Sequence, residues 1–123
     1  MVDSNKKHLV SSYLVVLALA MALYTISCTP SAVWQDSGMI QYRVWHNDIE
    51  GRLGLALSHP LFYMLTIAAK HVPFGEFGCK VNMTTAIISA VAVANLFLLV
   101  RLWLGKTFPA IIGAATLALS HTF

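Results

Sequence analysis

Three blocks of uncharged, mostly apolar sequence, Leu9–Ile26, Ala86–Val100 and Phe108–Leu119, constrain this chain more than any other feature. Their apolar residues are massed, without the strict alternation of a half-buried strand or the one-sided stripe of an amphipathic helix. A helix that crosses the hydrocarbon core of a bilayer needs about 20 mostly apolar residues, within a range of roughly 17–25. The first two blocks reach that length with their flanks, and the third runs to Phe123 without a polar closing turn. Composition agrees. The chain is 58% hydrophobic and 11% charged, with a mean hydropathy of +0.71, whereas soluble domains carry roughly 25% charged residues. The expected fold class is all-α, with polytopic transmembrane helices, and the open third block suggests the N-terminal part of a longer chain.

Charge narrows the function classes. The eight Lys and Arg residues are scattered and form no basic stripe of the kind that binds nucleic acid, so a nucleic-acid partner is not expected. Lys6 and Lys7 before the first block imitate a secretory signal, and Thr25-Ile26-Ser27-Cys28 faintly imitates a lipoprotein cleavage site. The block is longer than the roughly 7–15 residues of a signal's apolar region, which favours a retained helix.

The stretch Leu53–Ala69 decides the topology. After Pro60 its continuous apolar part is only Leu61–Ala69, and segments shorter than about 14 residues tend to be interfacial or re-entrant. A spanning helix there would also bury His59 and Pro60 in hydrocarbon, where the ring and the missing backbone donor both need partners. Treating it as interfacial leaves Lys6, Lys7, Arg101 and Lys106 together on the cytoplasmic side, as short basic loops prefer. The order expected is a membrane helix at about 9–27, an external loop 28–80 with interfacial helices at 37–50 and 60–70, a membrane helix at 81–102, a cytoplasmic turn 101–107, and a third helix beginning at 108. The loop balances Arg43, Arg52, Lys70 and Lys80 against Asp36, Asp48, Glu50 and Glu76.

Sugar transfer from a lipid-linked donor needs a carboxylate that accepts a proton from an acceptor hydroxyl, at the depth of the lipid phosphate. Asp36 stands a few residues past the first helix, within Trp34-Gln35-Asp36-Ser37-Gly38. Trp34 suits the membrane interface, and Gly38 permits close approach of a ligand. Asp36 could equally cap a helix starting near Ser37. In Leu57-Ser58-His59-Pro60-Leu61-Phe62-Tyr63, His59 could contact a phosphate or share a proton near neutral pH, and Pro60 fixes the start of a helix. Arg43 and Arg52 are candidates for gripping phosphate oxygens, with anchoring to anionic headgroups as the alternative.

Other features weigh less. His46, Asp48, Glu50 and His59 lack a spacing specific to any metal, so no metal or nucleotide cofactor is indicated. Asn95, among Ala90, Ala92 and Ala94, suits helix–helix packing. Asn82-Met83-Thr84 matches a glycosylation sequon at the bilayer edge. Cys28 and Cys79 end neighbouring helices, and either a disulfide or two free interfacial thiols is compatible with that placement.

With these residues in place, the chain resembles the DUF2723 family, the protein O-mannosyltransferase-like membrane glycosyltransferases of the GT-C class that include TMEM260-type enzymes. The resemblance rests on Trp34-x-Asp36-Ser37-Gly38, Ser58-His59-Pro60-Leu61, and the Phe74-Gly75 turn before an Asn- and Ala-rich helix. It implies a polyprenyl- or dolichyl-phosphate-linked sugar donor, mannose-like, and a protein or glycan hydroxyl as acceptor. It also implies Asp36 as base with His59 as an active-site neighbour, on a first external loop whose helices lie along the membrane lipid. Two departures bear on the donor sugar and acceptor: Met39 follows Asp-Ser-Gly where many relatives have an acidic residue, and Leu61 follows His-Pro where many have a second Pro. The competing hypothesis is a non-enzymatic membrane subunit or a transporter fragment. A transporter would usually carry ionisable residues inside its spans, and these spans have almost none.

Overall fold

The computed structural model describes residues 2–32, 35–52, 54–55 and 58–120, and among them the chain is all-helical, with no strand. Its helices are α1 (Val2–Ser27), α2 (Gln35–Trp45), α3 (Pro60–Lys70), α4 (Phe77–Leu104) and α5 (Thr107–Ala118). α1 and α4 have 26 and 28 residues. At ~1.5 Å of rise per residue, each exceeds the ~30 Å hydrocarbon core. Lys6–Ser27 and Phe77–Leu104 are long and apolar enough to cross a membrane, while α5 is a shorter apolar helix. Only 6% of the apolar window of α1 and 28% of that of α4 is buried within the chain. A helix in the core of a soluble protein would be mostly covered, so these need another apolar surrounding.

The chain divides into two compact units, one of α1, α5 and α4 from Ala86 onward, the other spanning Cys28–Thr85. In the first unit the interior is made of small side chains. Ala20 of α1, Ala90 of α4, and Ala110 and Ala114 of α5 are buried together with Val93 and Phe97. Small residues let helix backbones approach closely where lipid removes the hydrophobic drive between helices. Larger apolar side chains face outward, among them Leu14, Leu19, Leu99, Trp103 and Phe108. Hydrogen bonds cross the unit: Tyr13 Oη donates to Asn95 Oδ1 at 3.2 Å, and Tyr24 Oη to the Ala118 carbonyl at 3.3 Å. Asn95 thus serves the interhelical contact expected of it. Two hydroxyls of this unit bond within their own helices, Ser12 to the His8 carbonyl and Thr116 to that of Ile112, and so do not need water. α4 ends at Gly105, whose φ of +66° and N–H bond to the Arg101 carbonyl form the left-handed cap that favours glycine.

In the second unit α2 and α3 pack around Val44, Tyr63 and Val81, with Ile40, Ile49, Phe62, Ile67 and Phe77 partly buried beside them. α2 stops at Trp45, short of the expected 50, because Asn47 takes a left-handed φ of +57°. Asn47 N–H bonds the Val44 carbonyl and Asp48 N–H that of Arg43, the paired bonds that close a helix C-terminus. α3 begins at Pro60 and ends at Lys70 as expected, since Pro is preorganised for the first helical position. Its inward side carries Tyr63 and Thr66, and Leu61, Met64 and Leu65 face outward. α4 starts at Phe77 instead of 81. Val81 is buried in this core, and Phe77 meets Trp45 edge-on at 5.2 Å, so the extra turn has something to pack against.

Candidate active site

Asp36 lies in the first turn of α2, exposed, as is Ser37, and Gly38 is half-buried in the same helix. Because the helix begins at Gln35, Asp36 is inside it and not in the preceding cap position, and its carboxylate makes no hydrogen bond or ion pair among the described residues. In that first turn a carboxylate also suits the positive end of the helix dipole. Trp34 lies outside the described residues, as does Leu57.

What holds Asp36 in place comes from α4. Asn82 donates through Nδ2 to the carbonyls of Thr29 at 2.8 Å and Ser31 at 3.1 Å, and accepts at Oδ1 from Gln41 Nε2 at 3.0 Å. One turn earlier, Gly78 lets the segment lie directly against α4. A Cβ there would stand 2.7 Å from Ser31 C and Ala32 N, closer than side-chain carbons pack. The stretch entering α2 and the helix itself, through the buried Gln41, are thus tied to one face of α4. Sequence reading missed both anchors, taking Asn82 only as part of a sequon. Their separation of four residues, which puts them on one helix face, was the available signal.

Arg43 is used internally. Its guanidinium lies 3.8 Å from the Tyr63 ring centroid, donates through Nη2 to the Ile49 carbonyl at 2.9 Å, and places Nε 3.5 Å from Asp48 Oδ2. That last contact is an ion pair without hydrogen-bond geometry, and Nε is a buried donor left unbonded. Asp48 Oδ1 accepts from Gly51 N–H at 2.8 Å, closing the loop under the arginine. Lys70 and Lys80 also face inward: Lys70 Nζ bonds the carbonyls of Val44 and Trp45 at the end of α2, and Lys80 Nζ those of Lys70 and Val72 at the end of α3, where cations suit the helix dipole. Arg52 is exposed and makes no bond among the described residues.

His59 precedes α3 with φ 52° and ψ 57°, a left-handed conformation that costs about 1–3 kcal/mol outside glycine. Its carbonyl accepts the N–H groups of Phe62 and Tyr63, and the neighbouring buried Ser58 donates to the Ile49 carbonyl at 2.6 Å. The imidazole itself is exposed. Asp36, Arg52 and His59 share the unit but are not bonded to one another. Among the described residues no three His, Cys, Asp or Glu side chains gather as metal ligands. Cys28 and Cys79 are free thiols. Burial pushes the Cys28 thiol up, and Cys79 adds to the rise.

The segment that carries His59, α3 and α4 has a counterpart among known proteins. Residues 56–123, more than half of the chain, match the family model described as Protein O-mannosyl-transferase TMEM260 N-terminal domain. The chain belongs to this family. Within the TMEM260 N-terminal domain match fall Ser58-His59-Pro60-Leu61, the Phe74-Gly75 turn, and the anchors Gly78 and Asn82, whereas Asp36, Arg43 and Arg52 precede it. No curated protein and no solved structure matches the chain.

Proposed function

We propose that this chain is the N-terminal region of a polytopic GT-C-type glycosyltransferase of the DUF2723 kind. It moves a mannose-like sugar from a polyprenyl- or dolichyl-phosphate carrier to a protein or glycan hydroxyl. Residues 28–80 lie on the non-cytoplasmic side, α1 and α4 cross the bilayer, and α3 rests on the membrane with Leu61, Met64 and Leu65 toward lipid. Membership of an O-mannosyl-transferase family supports the reaction class.

The observation that supports the assignment of the base is that Asp36 presents an exposed carboxylate with no partner among the described residues, on a helix tied to α4 through Gln41 and Asn82. In the reaction the acceptor oxygen bonds to the anomeric carbon, the bond from that carbon to the phosphate oxygen breaks, and the acceptor proton passes to Asp36. The carrier phosphate leaves with the electron pair. Arg52 and His59, exposed and uncommitted, meet the charge that develops on it. Trp34 supplies an aromatic face and Ser37 and Gly38 a close approach for the donor. Arg43 holds the 46–51 loop in register.

The test is transfer activity of the full-length protein carrying Asp36→Asn, which removes the base at constant size. Transfer falls by a factor of about 10² or more while membrane insertion is retained. Undiminished transfer would remove Asp36 from the mechanism.

A further inference from the structure

In the unit of α1, α4 and α5, a cavity of about 410 Å³ opens where α1 begins and α4 gives way to α5. Its walls are polar at His8, Ser12, Arg101 and Thr107 and apolar at Leu9 and Leu102. Arg101 is half-buried, yet its guanidinium has no acceptor among the described residues. Lys106 is close to these residues in sequence, whereas Lys6 and Lys7 line a separate cavity, and the only acidic residue of the unit is Asp3. Leu102, one of its apolar walls, is itself largely exposed.

We infer that this cavity binds the phosphate-bearing headgroup of an anionic membrane lipid, with Arg101 as the principal contact. A guanidinium matches phosphate oxygens bidentately, and basic pockets between membrane helices on the cytoplasmic side suit such headgroups. A soluble phosphate would share the polar contacts. The apolar walls at Leu9 and Leu102, continuous with the outer faces of α1 and α4, favour a ligand that also has acyl chains. The site involves none of the residues assigned to sugar transfer, so either can fail without the other.

Trp103, exposed and two residues from Arg101, provides the readout once Trp34→Phe and Trp45→Phe leave it as the sole tryptophan of residues 1–123, with any tryptophan elsewhere in the full-length protein likewise replaced by Phe. The protein is placed in phosphatidylcholine nanodiscs, and quenching of Trp103 by brominated phosphatidylglycerol is compared with quenching by brominated phosphatidylcholine. The anionic lipid is preferred about fivefold, the equivalent of one cation near the surface. Arg101→Gln abolishes the preference. Lys6→Gln, whose side chain lines a different cavity, retains it. Equal quenching by the two lipids in the unsubstituted background would overturn the inference, as would equal loss in Lys6→Gln, which would indicate diffuse surface charge. Elimination of the preference by excess inorganic phosphate would overturn the lipid assignment in favour of a soluble anion.

Discussion

The side-chain amide of Gln41 on α2 donates to that of Asn82 on α4 across 3.0 Å, and the same Asn82 amide holds the Thr29 and Ser31 carbonyls. One residue of a membrane-length helix thereby fixes the chain on both sides of Asp36. The base role proposed for Asp36 requires such placement, because small displacements of reacting groups are costly in rate.

Asn82→Ala should destabilise residues 28–85 by about 1–3 kcal/mol, since it removes a part-buried bond to the Gln41 amide and two exposed bonds to the Thr29 and Ser31 carbonyls, each net hydrogen bond contributing about 0.5–1.5 kcal/mol. Combined with Gln41→Ala, the effect should fall short of additive by about 0.5 kcal/mol or more, because the two share a bond. Thermal unfolding of the four proteins in detergent gives the cycle. Simple additivity would show that the contact contributes nothing.

Gly78→Ala should displace the 29–32 segment, since the added methyl meets backbone at 2.7 Å. Overpacking of this kind costs about 1–3 kcal/mol. Limited proteolysis reports it as faster cleavage between α1 and α2, together with reduced transfer. A variant cut at the unsubstituted rate would contradict the close contact.

How far these contacts could be read from sequence varied with their range. The two membrane-length helices, and α3 from Pro60 to Lys70, were legible because apolar run length and the fixed φ of proline act locally. The end of α2 was not, because it turns on Asn47 adopting a left-handed conformation, which many residues could have replaced with another helical turn. Arg43 looked like a phosphate ligand by residue type. Its engagement with Tyr63, Ile49 and Asp48 depends on α3 folding back beside α2, a long-range relation that spacing does not encode. Gly78 and Asn82 were hidden likewise, since what they touch lies 41 to 53 residues earlier in the chain.

Arg43→Lys should loosen the 46–51 loop, because an ammonium cannot reproduce a flat guanidinium over Tyr63 while bonding Ile49. The stacking alone is worth about 0.5–2 kcal/mol. Gly51→Ala should do the same, since its Cβ would stand 2.7 Å from Arg43 Cζ at a φ of +59°. Hydrogen exchange should rise at residues 46–51 in both variants. Unchanged exchange in both would show that the arginine does not hold the loop.

The Cys28 thiol, pushed up by burial and then by Cys79, should form its thiolate only at higher pH than an ordinary cysteine. Its alkylation by a maleimide near neutral pH should be slow, with a rate–pH curve displaced upward. Cys79→Ser removes the second cause and should shift the Cys28 curve back down in pH. A curve at the ordinary cysteine position in the unsubstituted protein would contradict the burial of this thiol.

The sidedness of the loop tests the whole account most directly. His46 is exposed at the end of α2, so His46→Cys in a background with Cys28, Cys79 and any cysteine elsewhere in the full-length protein replaced by Ser offers a single thiol to a membrane-impermeant maleimide in sealed membranes. The thiol should be labelled from the non-cytoplasmic side while the membrane is intact. Labelling only from the cytoplasmic side would leave Asp36 on the wrong face of the bilayer and contradict the proposed chemistry.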